Sequence, residues 1–258
     1  MALKQFSSKI SLRFLSPLLL LVTLLTGGMA LTLSYSEAAS PAPSKIAISS
    51  QELNRVGELI YKNETGNKRE NLAVWNVGEN FPSLGIGHFI WFKQGEPEIF
   101  EETFPGLVEY LKKSGKKLPT LLRKYRYAPW KNREEFNAAK ARGELNEVID
   151  FLYETKDLQA LYIYERLQQA LTKMKAVSQF PEYIEIKFYK VAASQNGLYA
   201  LIDYVNFKGE GINPNERYKG QGWGLMQVLE SMEFIYQYPT KAEQDAATLA
   251  SFRKAAAH

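Results

Sequence analysis

The sequence predicts an α+β domain that is predominantly α-helical and carries one small β-hairpin region. Apolar residues recur at helical spacing in a series of segments after residue 48. A single apolar and aromatic region, interrupted by Gly78, Asn80 and Pro82, predicts the hairpin. The composition, 45% hydrophobic and 23% charged, is that of a globular chain and excludes wholesale disorder and collagen-like or coiled-coil architectures.

Residues 1–38 have the pattern of a signal peptide. Three basic residues precede an apolar stretch from Phe14 to Leu31, and Ser36 and Ala38 suit the −3 and −1 positions of a cleavage site. We therefore expect an exported protein of the periplasm or cell envelope, with no membrane partner once the signal is cleaved. An uncleaved anchor is the alternative, although Pro17 and Gly27 interrupt the stretch.

Residues 39–48 read as a linker, and residues 49–258 as one domain. Ser49 and Glu52 form a capping-box pattern that begins the first helix, which we expect to end near Glu64. Residues 72–76 and 83–92 predict the hairpin region. Further helices are predicted over Gly106–Lys113, Arg133–Arg142, Glu144–Glu154, Asp157–Lys175, Pro181–Ala193, Gly197–Phe207, Gly224–Met232 and Lys241–Lys254.

The residue counts exclude several kinds of chemistry. The chain has no cysteine, which excludes a metal site with Cys ligands. It has two histidines, too few to favour a Ser-His-Asp triad or a His-rich metal site. We expect no cofactor and no metal. If the protein performs acid-base chemistry, we expect Asp or Glu carboxyl groups to carry it. The net charge of +4 is too small to predict nucleic-acid binding. We interpret the basic run from Lys112 to Arg133 as a solvated helical face rather than a binding patch.

A carboxylic acid at a helix end and a glycine-rich strand form the first candidate site. Glu64 closes the first helix, and Gly85 and Gly87 follow Ser83. The glycines would let a polymer or a water approach the backbone, and the Ser83 hydroxyl could hold such a water. Glu79, in the preceding turn, offers a second carboxylate. Glycoside hydrolysis requires one protonated and one ionised carboxyl group.

This segment resembles the phage-type lysozymes, or endolysins. Their pattern is a catalytic Glu that closes the first helix, a hairpin containing an Asp, and then Thr-x-Gly-x-Gly-His. Here Glu64 is followed by Ser83-Leu-Gly-Ile-Gly-His88. The resemblance implies that Glu64 is the general acid and that Ser83 holds the water. The position of the family's Asp is occupied by Val77, and Glu79 is the nearest substitute.

Each of these residues also has a structural interpretation. Glu64 could be a surface carboxylate at a helix end, and Gly85 and Gly87 could allow a tight strand crossing, since glycine pairs are common in hairpins. His88 is better interpreted as a buried hydrogen-bonding residue than as a catalyst. The four tryptophans offer surfaces on which sugar rings could stack, but most aromatic residues are expected in the core.

A second segment extends the resemblance to endolysins. Residues 200–211, Ala-Leu-Ile-Asp-Tyr-Val-Asn-Phe-Lys-Gly-Glu-Gly, are similar to the family's Ala-Leu-x-x-Phe-x-Phe-Asn-x-Gly-x-Gly. Asp203 and Asn206 share one face of this predicted helix, where they either line the floor of a cleft or form an interior hydrogen-bonded pair. Residues 93–196 exceed the family's corresponding region and are interpreted as a long helical insertion.

The same region also resembles the soluble lytic transglycosylases. Glu210-Gly-Ile-Asn-Pro214, followed by Gly224-Leu-Met-Gln227, is similar to their Glu-Ser-x-Phe-x-Pro and Gly-Leu-Met-Gln, although the serine is absent and the first motif is one residue shorter. This resemblance implies that Glu210 is the single catalytic acid. Residues 224–227 also fit the start of an amphipathic core helix, which we prefer.

The sequence therefore predicts a monomeric, exported hydrolase whose partner is the glycan strand of peptidoglycan. The expected catalytic residues are Glu64, Glu79 and Ser83, and the expected substrate-binding residues are Gly85, Gly87, Asp203 and Glu210. One alternative is a lytic transglycosylase that uses Glu210. Another is a non-catalytic glycan-binding or envelope protein on a degenerate lysozyme scaffold, which the loss of the family's Asp favours.

Overall fold

The computed structural model describes residues 48–96, 101–213, 222–233 and 238–257, which all belong to one compact unit extending from Pro43 to His258. The predicted signal peptide lies outside the described residues, as does the predicted linker apart from its last residue. Ten helices and one small sheet are found within the described ranges, which confirms the predicted fold class. None of these helices is both long and apolar enough to cross a membrane.

The three strands all lie between the first two α-helices in the chain, and only helices follow them among the described residues. The helices are α1 (Ser50–Thr65), α2 (Phe104–Lys113), α3 (Thr120–Lys124), α4 (Arg133–Ala141), α5 (Asn146–Glu154), α6 (Lys156–Val177), α7 (Pro181–Ala192), α8 (Gly197–Lys208), α9 (Leu225–Ser231) and α10 (Lys241–Ala256). The strands are β1 (Ala73–Val74), β2 (Ser83–Leu84) and β3 (Phe89–Ile90), preceded by a 3₁₀ turn over Arg69–Leu72.

Every helix predicted from periodicity is present, with each end within two residues of the prediction. The prediction missed α3, whose five residues are too few to show a helical period. It also interpreted residues 112–133 as a helical face, which is wrong. The helical residues there belong to the last turn of α2, to the short α3 and, at Arg133, to the start of α4, because Gly115 and Pro119 interrupt the run.

Capping interactions of neighbouring residues determine both ends of α1. The Ser49 hydroxyl accepts a hydrogen bond from the Glu52 amide at 3.1 Å, as the capping pattern predicts. The Glu52 carboxylate, however, pairs with Arg55 at 2.7 Å and does not accept the hydrogen bond from the Ser49 backbone N–H that would complete a capping box. At the other end, Gly66 has a φ of 62° and its N–H donates to the Lys62 carbonyl at 2.9 Å. Glu64 therefore lies at a sharply terminated helix end.

The long helix α6 is the centre of the core, and α1, α2, α5, α7 and α8 pack against it. Its buried residues are Gln159, Ala160, Ile163, Tyr164, Leu167, Ala170, Leu171 and Met174. α1 approaches α6 closely at Gly57, where an added Cβ would lie 3.0 Å from the Ala160 Cβ. This contact fixes α1, and with it Glu64, relative to the core.

The three strands form an antiparallel sheet in the order β1-β2-β3. Val74 pairs with Ser83, and Ser83 pairs with Ile90. The segment Gly85–His88, expected to be part of a strand, is instead the turn between β2 and β3, and the His88 N–H donates to the Gly85 carbonyl at 3.3 Å. Gly85 adopts a φ of 80°, a left-handed conformation that favours glycine.

Candidate functional site

Glu64 lies at the last turn of α1, where this helix meets the β2–β3 turn. Its side chain is half-buried, and Oε2 lies 3.3 Å from Nδ1 of His88. Burial raises the pKa of Glu64, and the negative charge of Asp203 raises it further. The carboxyl group therefore keeps its proton to a higher pH than an exposed glutamate, which is the property required of a general acid.

His88 ends the β2–β3 turn with a φ of 45°, unusual for a residue with a side chain. Burial lowers the pKa of His88 more than the Asn71 backbone and the Glu79 charge raise it. Its Nε2 is buried and makes no hydrogen bond of normal geometry with a described residue. A neutral ring beside a carboxyl group of raised pKa means that this contact can share a single proton.

Helix α8 brings a second carboxylate towards Glu64. Asn63, which precedes Glu64, donates from Nδ2 to the Tyr199 hydroxyl at 2.6 Å. The Tyr199 hydroxyl in turn donates to Oδ1 of Asp203 at 3.0 Å. This chain of hydrogen bonds ties α8 to the end of α1 and keeps the Asp203 carboxylate near enough to act on the pKa of Glu64. Of the two α8 residues singled out in the sequence, Asp203 belongs to the site.

A cavity of about 400 Å³ opens beside Asp203, between α8 and α10. Tyr199, Tyr204, Phe252 and Arg253 are among the residues that line it. Its volume falls within the range of about 300–1,000 Å³ found for small-molecule sites. Asn206 is not part of this cavity and instead lines a small one next to Glu210. The predicted interior pair of Asp203 and Asn206 is therefore wrong, since both side chains are exposed.

Glu79 lies in the connection between β1 and β2. Its carboxylate accepts a hydrogen bond from Asn76 Nδ2 at 3.1 Å, and its backbone carbonyl accepts one from the Trp75 indole at 2.8 Å. The negative charge of Glu79 acts on His88 by raising the pKa of that ring. The charge of Asp203 therefore acts on Glu64 and that of Glu79 acts on His88, and the predicted catalytic role of Glu79 stays a prediction.

Ser83 is 4% exposed and occupies the central strand, between its partners on β1 and β3. Its side chain is therefore buried. A water held by the Ser83 hydroxyl would have to be a buried one, with further polar partners. The role implied for Ser83 by the resemblance stays a prediction.

Close packing explains why glycine occupies positions 85 and 87 of the turn. An added Cβ at Gly85 would lie 2.5 Å from Oε1 of Gln159, and one at Gly87 would lie 3.0 Å from the Phe89 ring and 3.1 Å from Ile163. Both positions are small because the turn packs against α6. Their predicted role in substrate binding stays a prediction.

Gln159 was missed by the sequence analysis. It is fully buried on α6, and its Oε1 accepts the Ile86 N–H at 2.9 Å. Its Nε2 donates to the Leu152 carbonyl at 2.6 Å and to the Thr155 hydroxyl at 3.2 Å. An amide among the apolar positions of a predicted core helix was the available signal, since a buried polar side chain needs partners.

Glu210 is placed differently from Glu64. Both of its carboxylate oxygens contact the Lys173 ammonium, at 3.0 and 3.2 Å, and its side chain is 17% exposed. The Glu210 carbonyl accepts a hydrogen bond from the Met226 N–H at 3.0 Å, and Gln227 Nε2 donates to the Gly211 carbonyl at 2.8 Å. Glu210 and Gly211 of the first segment that resembles a transglycosylase motif therefore contact the second, with the acid held in an ion pair. Pro214, the last residue of the first motif, lies outside the described residues.

Comparisons of the chain with protein-family models, with curated proteins and with solved structures each gave no match. Within the described ranges, no cluster of three or more His, Asp and Glu side chains is arranged to hold a metal ion. The functional interpretation therefore rests on the geometry around Glu64 and on the motif resemblance.

Proposed function

We propose that this protein hydrolyses the glycan strands of peptidoglycan and that Glu64 is its general acid. One observation carries the proposal. A half-buried carboxyl group of raised pKa lies at the end of the first helix, in contact with His88 of the glycine-rich turn and close enough to Asp203 for that charge to act on its pKa. Glycoside hydrolysis uses a carboxyl group that holds its proton to higher pH, together with a second carboxyl group that is ionised.

In the proposed reaction, Glu64 donates its proton to the oxygen that leaves as the glycosidic bond breaks. A water attacks the anomeric carbon, and an ionised carboxylate accepts its proton or stabilises the positive charge on the sugar. Glu79 and Asp203 are the two candidates for this second role. His88, neutral near pH 7 because its pKa is lowered, orients the Glu64 carboxyl group through the contact at Nδ1.

A lytic transglycosylase that uses Glu210 is the second candidate, favoured by the contact of Glu210 with the segment Gly224–Gln227. In that reaction a hydroxyl of the muramic acid replaces water as the nucleophile, so the products carry 1,6-anhydro ends. The ion pair with Lys173 argues against it, because an acid catalyst must hold a proton rather than a negative charge.

A non-catalytic glycan-binding protein is the candidate from a different functional class. The position of the family's Asp is held by Val77, which is 83% exposed in the β1–β2 connection and has no group that can ionise. If neither Glu79 nor Asp203 takes over its role, the protein binds glycan without cleaving it.

A zymogram on purified peptidoglycan tests the proposal. Glu64→Gln keeps the shape of the side chain but removes the transferable proton, so activity should fall at least about 10²-fold while the fold is retained. Glu58→Gln on the same helix is the matched control, since Glu58 is exposed and binds Lys156 instead. Full activity of Glu64→Gln would contradict the proposal.

Two further results separate the alternatives. An inactive Glu210→Gln variant, with products that carry 1,6-anhydro ends, would favour the transglycosylase. A wild-type protein that clears no peptidoglycan but sediments with it would favour the non-catalytic binding protein.

A further inference from the structure

The positive charge of the chain is concentrated in one segment. Residues 112–133 contain nine of the 32 Lys and Arg residues and no Asp or Glu. The rest of the chain has 23 basic against 28 acidic residues, a formal charge of −5. Such charge asymmetry indicates an anionic partner for the basic part. We call the side chains of this segment the basic surface: Lys112, Lys113, Lys116, Lys117, Arg123, Lys124, Arg126, Lys131 and Arg133.

The basic surface is held in place by buried apolar residues of the same segment. Leu122, Ala128 and Trp130 are 5–6% exposed and belong to the hydrophobic core. The Ala128 N–H also donates to the Phe92 carbonyl at 2.9 Å. All the basic residues of the segment except Arg133 are exposed. The cations are therefore displayed on an anchored segment, not on a free helical face.

Nearby acids compensate only part of this charge. Glu109 lies 3.9 Å from Lys112 and 3.8 Å from Lys113, and Glu102 pairs with Arg126 at 3.1 Å. The remaining basic side chains between these pairs have no carboxylate within 4.0 Å among the described residues. They are Lys116, Lys117, Arg123 and Lys124.

Two tyrosines lie among the cations. Tyr125 is 37% and Tyr127 is 39% exposed, and each ring has a cation over it, Lys124 at 5.0 Å and Arg126 at 5.1 Å. Tyrosine is enriched at the level of lipid headgroups, where its ring meets the acyl boundary and its hydroxyl meets water. Lys and Arg side chains near an anionic membrane surface are attracted to it by its negative surface potential.

We propose that the basic surface binds the surface of an anionic lipid bilayer through lipid phosphate groups. Lipid phosphates move laterally, so they can pair with cations at irregular fixed positions, whereas a polymer needs a continuous path. The exposed tyrosines further favour the headgroup region over a soluble polyanion. This inference does not depend on the hydrolase activity, and it revises the expectation that the exported protein has no membrane partner.

Sedimentation of the full chain with lipid vesicles tests this inference. We expect binding to vesicles of equal parts phosphatidylcholine and phosphatidylglycerol to exceed binding to phosphatidylcholine alone, and to weaken as salt is added. A variant with Lys116, Lys117, Arg123 and Lys124 changed to Gln should lose this preference, by about fivefold for each cation that contacts the surface.

The matched control changes four exposed basic residues outside the segment to Gln: Lys68, Arg142, Lys190 and Lys254. It carries the same net charge as the first variant and should keep the preference for anionic vesicles. All three proteins share the apolar stretch of residues 14–31, so its contribution cancels in the comparison.

The inference is overturned if wild type shows no preference for anionic vesicles, or if both variants lose it equally. It is also overturned if soluble polyphosphate binds the basic surface while anionic vesicles do not, which would assign the surface to a polymer. Peptidoglycan hydrolysis, measured in parallel, should be the same in wild type and both variants. A protein that binds vesicles but clears no peptidoglycan would refute the proposed hydrolase alone.

Discussion

At Glu64, two physical effects act on the same proton. Partial burial removes water that would stabilise the ionised Glu64 carboxylate. The negative charge of Asp203 also disfavours a second negative charge on Glu64, so both effects raise the pKa of Glu64. Perturbed carboxyl groups of this kind are concentrated at functional sites, although structural networks also produce them. The neutral His88 ring adds no positive charge that would reverse the effect. The raised pKa of Glu64 is therefore a property of its surroundings.

Asp203→Asn should move the pH dependence of activity. Removal of the Asp203 charge makes ionisation of Glu64 easier, so the pKa of Glu64 falls towards its ordinary value of 4.5. Activity that requires protonated Glu64 is lost as pH rises through this pKa, so the alkaline limb of the profile should shift to lower pH. The measurement is the rate of peptidoglycan clearance across pH, and loss of clearance at every pH would instead assign the second catalytic role to Asp203. Asp157→Asn, on α6, should leave the limb in place, and an unmoved limb in Asp203→Asn would refute the coupling.

At the scale of the element, the β2–β3 turn depends on α6 for its shape. The Ile86 amide is buried and its hydrogen bond goes to the Gln159 side chain rather than to a neighbouring strand. Gly85 leaves the space that this side chain occupies. The turn carries His88 to Glu64, so one amide on a core helix positions part of the candidate site.

Gln159→Leu should destabilise the protein. Leucine cannot accept a hydrogen bond from the Ile86 N–H or donate one to the Leu152 carbonyl, and each unsatisfied buried group costs about 1–3 kcal/mol. Urea unfolding followed by circular dichroism measures the loss. Gln169→Leu, at an exposed position of the same helix, should change the free energy of unfolding little. Equal stability of the two variants would show that the buried amide does not hold the turn.

Gly85→Ala should destabilise the protein more than Gly95→Ala. Both glycines have a φ of 80°, so the conformational strain of alanine is similar at the two positions. An added Cβ at Gly85 would lie 2.5 Å from Gln159 Oε1, whereas one at Gly95 would meet no atom within 4 Å. The difference between the two free energies of unfolding isolates the contact with α6, and no difference would contradict the packing argument.

At the scale of the whole molecule, α6 connects the site to the core. The helices that carry Glu64 and Asp203, α1 and α8, both pack against it, and so does the β2–β3 turn through Gln159. The relative positions of these site residues are therefore set by one shared helix. We expect a substitution that weakens the packing at the centre of α6 to lower the free energy of unfolding of the described part of the chain, which should still unfold in one cooperative transition.

Leu167→Ala tests this cooperativity. Leu167 is 2% exposed, and replacement of a buried leucine by alanine typically costs about 2–5 kcal/mol. Unfolding followed by far-ultraviolet circular dichroism and by tryptophan fluorescence should shift together to lower denaturant concentration. Leu161→Ala, at a half-buried position of α6, should cost less. Separate transitions for the two signals would show that the parts around α6 unfold independently.

Local patterns were sufficient for most of the secondary structure. Periodic apolar residues located the longer helices, and Ser49 and Gly66 marked the two ends of α1, since helix caps depend on neighbouring residues alone. The short α3 was missed because five residues do not define a period. Residues 85–88 were mistaken for a strand because apolar alternation does not distinguish strands from the tight turn between them.

The sequence by itself determined the helical class of the fold and pointed to Glu64 and the glycine-rich segment 85–88, because caps, periodicity and motif spacing are local properties. The tertiary structure alone decided which distant groups meet. It brought Asp203 to Glu64 through Asn63 and Tyr199, placed Gln159 under the turn, and held Glu210 in an ion pair with Lys173. These contacts join residues far apart in the chain, so they depend on how α1, α8 and the β2–β3 turn pack against α6.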